Sequence, residues 1–97
     1  MVVGSLEIDI LIPGSQNLKE KRKIVKSLKD KVRAKFNVSI CEVDFHEKWQ
    51  RALIGISCVN SKRKEIEIIF EKIKNLIRGN GEVVVIREIG NFFYIKS

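Results

Sequence analysis

His46 and Trp49 are the only residues of their types in the chain, and they stand three positions apart in the stretch DFHEKWQR, Asp44 to Arg51. An imidazole titrates near pH 6.5 and can serve as acid, base or metal ligand. An indole either buries a large apolar area or stacks on a partner. Acid–base work also needs a group that orients the ring and a pocket that holds the substrate. Asp44 and Glu47 are the nearest carboxylates in sequence, and both are expected in solvent. The spacing therefore supports no catalytic dyad. Trp49 has two readings. It packs onto a sheet edge or helix end and fixes the connection, or it stands exposed between Lys48 and Arg51 as a stacking or partner-contact surface. His46, Trp49, Gln50 and Arg51 are the contact candidates of this loop.

The second chemical signal is charge. Leu18 to Phe36 (LKEKRKIVKSLKDKVRAKF) holds nine basic and two acidic residues, a surplus of +7 that equals the net charge of the whole chain. At 100° per residue, Leu18, Ile24, Val25, Leu28, Val32 and Phe36 share one helical face. Arg22, Lys26, Lys29 and Arg33 form a narrow stripe on the far side. Arg22/Lys26 and Lys29/Arg33 are like-charge i,i+4 pairs, each unfavourable by about 0.2–0.5 kcal/mol, and Lys26 with Asp30 offsets little of it. Such a stripe suits a polyanion, with Lys19 and Lys21 as extensions. The alternative is a solvated basic face without a partner. Lys21 and Lys35 fall among the apolar positions, where a long stem is expected to follow the core edge with its ammonium in water.

The rest of the chain carries little further chemistry. Cys41 and Cys58 lie in apolar, strand-like runs and read as reduced, packed thiols. A lone histidine does not complete a metal set with them. No glycine-rich phosphate loop, paired carboxylate site or Cys–His dyad appears. No cofactor or metal is expected, and enzymatic activity is not favoured. Backbone amides at the start of the basic helix would bind an anion with help from Lys19, Lys21 and Arg22. A plain capped helix start accounts for the same residues.

The elements that position these groups follow from periodicity. Val2 to Ile12 alternates, with Leu6, Ile8, Ile10 and Ile12 on one side and Glu7 and Asp9 on the other, as in a half-buried strand. Pro13-Gly14-Ser15 ends it, and Asn17 with Glu20 gives a capping-box-like helix start. After Asn37, VSICEV reads as a second strand, and RALIGISCV (Arg51 to Val59) as a third. Asn60 and Ser61 offer a cap for a second helix, whose face is Ile66, Ile69, Phe70, Ile73 and Ile77 and which stops at Gly79-Asn80-Gly81. Glu82 to Ile89 is a fourth strand. Gly90-Asn91 is a turn signal before a possible short final strand, FFYI.

This order predicts an α+β fold, a ferredoxin-like βαββαβ sandwich spanning residues 1–97 as a single domain. The antiparallel sheet would have order 4-1-3-2 with two helices on one face. With 97 residues, 44% hydrophobic and 32% charged, the chain has the composition of an ordinary globular protein. It has no apolar run long enough to span a membrane and no secretory n-region, so a cytoplasmic location without membrane attachment is expected. Acylphosphatases share this size and topology, but their glycine-rich anion loop and arginine are replaced here by IPGSQNLKEKR. The two expected central strands contain no aromatic residue, and Glu7 and Asp9 would repel phosphates from the open sheet face. RNA, if bound, would meet the helical side or the His–Trp loop. The apolar open face would then be covered by a second copy, through the face or an edge strand, or by FFYI, or it is a small patch shielded by neighbouring side chains.

Three segments together, MVVGSLEIDILIPGSQNLKEKRKIVKSL, KFNVSICEV and HEKWQRALIGISCV, resemble the YlxP-like family of small bacterial proteins of unknown function. The resemblance implies a ferredoxin-like domain. Members are often encoded near ribosome-binding factor A and translation initiation factors, which implies a link to ribosome assembly or translation. Leu18, Lys19, Glu20, Lys21, Arg22, His46, Trp49, Gln50 and Arg51 occupy the family-pattern positions, and no catalytic residue is carried over. The resulting expectation is a non-enzymatic RNA- or ribosome-associated protein. The alternative is a homo-oligomeric interaction module without nucleic acid.

Overall fold

Alternation along the N-terminal residues produces β1 (Val2–Leu11), the strand on which the sheet is built. A computed structural model describes residues 1–96 of the chain. β1 is followed by α1 (Leu18–Lys35), β2 (Ser39–Asp44), β3 (Arg51–Asn60), α2 (Arg63–Arg78) and β4 (Val84–Tyr94). The four strands form one antiparallel sheet in the order β2-β3-β1-β4, the ferredoxin-like arrangement that the element order predicts.

Each strand turns alternate residues to the helices. Leu6, Ile8 and Ile10 of β1 and Ala52, Ile54, Ile56 and Cys58 of β3 are buried against Val25, Leu28 and Val32 of α1 and Ile66, Phe70, Ile73 and Ile77 of α2. Each such large apolar side chain contributes roughly 1.5–3 kcal/mol on leaving water, so one face of each helix suffices to hold it. α1 starts as its sequence predicts. The Glu20 N–H donates to Asn17 Oδ1 at 2.9 Å, and the Glu20 carboxylate accepts from the Gln16 N–H at 2.6 Å. The start of α2 differs. Its N-cap position is Lys62, without a side-chain cap, while Asn60 Oδ1 accepts the Lys62 N–H at 3.0 Å and shapes the turn before it.

The C-terminal tract also departs from expectation. Gly90-Asn91 makes no turn, and FFYI forms no separate strand; β4 runs through both to Tyr94. β1 explains this, because it offers partners along its whole length, from Leu11 opposite Val84 to Val2 opposite Tyr94. A register shift beside Asp9 and Ile10 absorbs the extra residue of β4 as a bulge. The tract therefore lengthens the sheet instead of covering its open face.

α2 crosses so close above β1 that only glycine fits at position 4. A Cβ there would lie 2.5 Å from Ile66 Cγ2 and 2.9 Å from Phe70 Cε2. Gly4→Ala should therefore lower unfolding free energy by about 1–3 kcal/mol through overpacking. Urea denaturation measures this, and an unchanged midpoint would show that α2 can ride over the extra methyl.

Candidate functional site

α1 lies antiparallel along the edge strand β2. Near the start of the helix, Lys21 reaches Glu42 and the Phe45 carbonyl; near its end, Arg33 Nη2 donates to the Ile40 carbonyl at 3.0 Å. These contacts place the Arg22, Lys26, Lys29 and Arg33 flank beside β2, over about 16 Å of helix. Arg22, Lys26 and Arg33 are exposed and Lys29 is half-buried, with Lys19, Lys23, Lys31 and Lys35 exposed around them.

Asp30 is the one carboxylate set into this stripe. Lys26 Nζ donates to it at 2.8 Å, and an Arg33 nitrogen stands 3.9 Å away. The hydrogen bond from Lys26 outweighs a small desolvation and, with the charges of Lys26, Arg33 and Lys29, holds the Asp30 carboxyl below its usual range. Asp30 thus stays ionised at neutral pH and offsets about one of the surrounding charges. Among the described residues no carboxylate pairs with Lys19, Arg22, Lys23 or Lys29. On α2 and β4 more of the cations have partners: Arg63 with Glu67 at 2.7 Å, Lys74 with Glu71 at 3.5 Å, and Arg78 with Glu88, while Lys64, Lys72 and Arg87 have none among the described residues.

Lys21 does not belong to the exposed stripe. The expectation of an ammonium in water fails, because the side chain is 1% exposed. Its Nζ donates to the Phe45 carbonyl at 2.6 Å and stands 2.7 Å from Glu42 Oε2. That oxygen is shut off from solvent and has no aligned hydrogen bond among the described residues, so charge alone holds it. A phosphate contact from Lys21 is excluded by this burial. The reading of the helix start as an anion site loses the same cation, and the Glu20 carboxylate already occupies the Gln16 amide there.

The loop between β2 and β3 is braced at both ends. Phe45 adopts φ 65°, a conformation that costs a bulky residue about 1–3 kcal/mol and persists where the surroundings over-determine it. Its N–H is taken by Asp44 Oδ1 at 2.7 Å, and its carbonyl by Lys21 and by the Lys48 N–H at 2.9 Å. Gln50 clamps the loop to the β1–α1 connection. Its side-chain amide donates to the carbonyls of Ser15 at 3.0 Å and Pro13 at 3.3 Å, and its own carbonyl accepts the Ile12 N–H at 2.8 Å.

Arg51 turns to the open sheet face and grips the buried Asp9 carboxylate with two hydrogen bonds, Nε–Oδ1 at 3.1 Å and Nη2–Oδ2 at 2.7 Å. The bond to Asp9 raises the Arg51 pKa above its already high value, and the Phe45 ring lies 4.0 Å from the guanidinium. Gln50 and Arg51 therefore both make bonds that hold the loop in place. His46 and Trp49 remain in solvent; His46 Nε2 lies 3.1 Å from the Glu42 carbonyl, and Trp49 is 50% exposed. No cluster of three or more His, Cys, Asp or Glu side chains among the described residues could hold a metal.

Sequence reasoning missed the Lys21–Glu42 and Asp9–Arg51 pairs. The signal for the first lies in two positions. Lys21 has the phase of the apolar helix face, and Glu42 stands opposite Ile54, an inward-facing residue of β3. Two inward positions of opposite sign imply each other. Lys21→Met, which strands Glu42, should cost about 3 kcal/mol, and adding Glu42→Leu should restore most of that loss. Urea unfolding of both single variants and the double variant measures the coupling; strictly additive losses would show that the two groups do not interact.

With this geometry established, comparison with known proteins assigns a family. The chain is 34% identical over 82 residues to the uncharacterized protein YlxP of Bacillus subtilis (strain 168), covering 84% of this chain and 89% of that protein. Residues 3–88 match the family described as protein of unknown function DUF503. The clamp of Lys21, Gln50 and Arg51 and the basic helix beside it thus belong to a member of the DUF503 family.

Proposed function

We propose that this chain is a non-enzymatic, cytosolic RNA- or ribosome-associated protein that holds its partner through the outer flank of α1. The observation that carries the reading is the unbalanced charge of that flank. Arg22, Lys26, Lys29 and Arg33 line it with Lys19 and Lys23 nearby, and Asp30 is its one interspersed acid. By contrast, Arg63, Lys74 and Arg78 of α2 and Arg51 of the open sheet face each have a carboxylate partner. A polyanion relieves the self-repulsion along α1 and releases its own counterions, which favours association with phosphates. No helix among the described residues is long and apolar enough to cross a membrane.

If four to six of these cations meet phosphates, log affinity should fall against log salt with a slope of roughly −0.7 to −0.9 per contact. The triple variant Arg22→Glu, Lys26→Glu, Lys29→Glu should lose co-sedimentation with ribosomes at low salt and keep a melting temperature within a few degrees of the parent. Unchanged co-sedimentation would sink the reading.

A second reading is favoured by the opposite side of the sheet. Val43 (44% exposed), Val59 (59%) and Phe93 (54%) leave a large apolar surface in water there. The charges on this face, Glu7 and Asp9 against Arg51 and Arg87, are two of each sign, a balance that suits pairing with a second copy of the same face. The +7 surplus on α1 lies on the far side of the sheet, so two copies would meet with their basic helices apart. Sedimentation equilibrium should then show a dimer in the micromolar range that Val59→Lys disrupts. A monomer at high micromolar concentration removes this reading.

A further inference from the structure

We infer that Trp49 is a base-stacking platform at one end of the basic flank of α1, and that the ligand of this surface is single-stranded RNA. The inference rests on the polyanion reading above and deepens it.

Trp49 keeps half of its surface in water while its chain neighbours Lys48 and Gln50 are held by hydrogen bonds. Gln50 is fastened to Ser15, Pro13 and Ile12, the Lys48 N–H donates to the Phe45 carbonyl, and Lys21 anchors that same carbonyl from α1. A large apolar side chain on a mobile loop would lose conformational freedom on binding; one on a braced loop has already lost much of it. The brace also sets the location. Lys21 joins the loop to the first turns of α1, and the adjacent residue, Arg22, begins the flank that continues through Lys26 and Lys29 to Arg33 beside β2. On this reading, phosphate contacts along that flank and the indole of the adjoining loop form one track.

A single strand fits such a track better than a duplex, because its bases can turn out and present a ring face, whereas those of a helix are already stacked on one another. The other exposed aromatics, Phe93 and Tyr94, pair with Val3 and Val2, at the end of β1 remote from this loop. Trp49 is the aromatic that the first turns of α1 can share.

Because Trp49 is the only tryptophan, its emission reports on the site directly. The probes are a fluorescein-labelled oligoadenylate and an RNA hairpin duplex of equal nucleotide count, each titrated at low salt while anisotropy and tryptophan emission are recorded. Oligoadenylate should quench Trp49 along the same isotherm that anisotropy traces, and the duplex should bind with little quenching. Trp49→Ala should weaken oligoadenylate binding about 10-fold with the salt slope unchanged, and Trp49→Phe should keep most of the affinity. Arg22→Glu should instead flatten the salt slope.

Salt-dependent binding of oligoadenylate without quenching, and with Trp49→Ala as tight as the parent, would overturn the stacking inference while leaving the phosphate reading in place. Loss of ribosome co-sedimentation in Trp49→Ala with unchanged oligoadenylate affinity would also overturn it, marking Trp49 as a protein contact. Failure of the parent to bind either RNA at low salt would remove the polyanion reading and this inference together.

Discussion

A single buried ammonium organises one side of this molecule. Lys21 comes from the apolar face of α1, yet its charge ends against the Phe45 carbonyl and Glu42 at the far end of β2. It thereby connects the helix, the edge strand and the loop that leads into β3. Such a pair contributes little net stability compared with apolar residues of the same size, since both groups must leave water. What it does contribute is position. An apolar side chain at residue 21 would pack in several ways, whereas the ammonium has one nearby carboxylate and one strained carbonyl to satisfy. Lys21 shares the task of holding Phe45 in its left-handed conformation with Asp44 and the Lys48 N–H.

The same loop is fixed from two further directions. Gln50 holds it to the connection that precedes α1, and Arg51 anchors its end to Asp9 on the opposite face of the sheet. Residues 44–51 are thus tied to the connection that precedes the first helix, to that helix through Lys21, and to the central strand through Asp9, by polar contacts that are mostly part-buried. Within this stretch Trp49 keeps half of its surface exposed, and His46, also exposed, reaches back to the Glu42 carbonyl. Rigidity combined with exposure separates a contact surface from an ordinary solvent-exposed loop, because the entropy of ordering has been lost in folding rather than on binding.

Charge is divided with similar economy. Arg51 and Asp9 neutralise one another on the sheet face, α2 carries its own carboxylate partners for Arg63 and Lys74, and Glu88 of β4 meets Arg78. Lys21 is matched internally by Glu42. After these pairings the surplus positive charge is concentrated on the solvent side of α1, and the sheet face opposite is apolar with balanced charge. The two surfaces point away from each other, so a partner on one leaves the other accessible. A face-to-face dimer would present two basic helices outward, and the readings of RNA association and self-association are physically compatible.

Alternation and helical phase are local properties, and they were enough to place the strands and helices, their order and the capped start of α1, because burying one face of each segment leaves few ways to assemble them. The excess charge of residues 18–36 was equally legible, since charge belongs to residue type. What local pattern could not decide was the fate of side chains whose partners are distant in the chain. Lys21 looked like a core-edge lysine until the fold brought Glu42 and Phe45 to it, the latter 24 residues away. Gly90-Asn91 looked like a turn until the full length of β1 offered it a partner strand. Gln50 and Arg51 looked like contact residues until the β1–α1 connection and Asp9 were placed beside them. In each case a buried hydrogen-bonding group or a strand edge must find its complement wherever the chain supplies it, and only the tertiary structure says where that is.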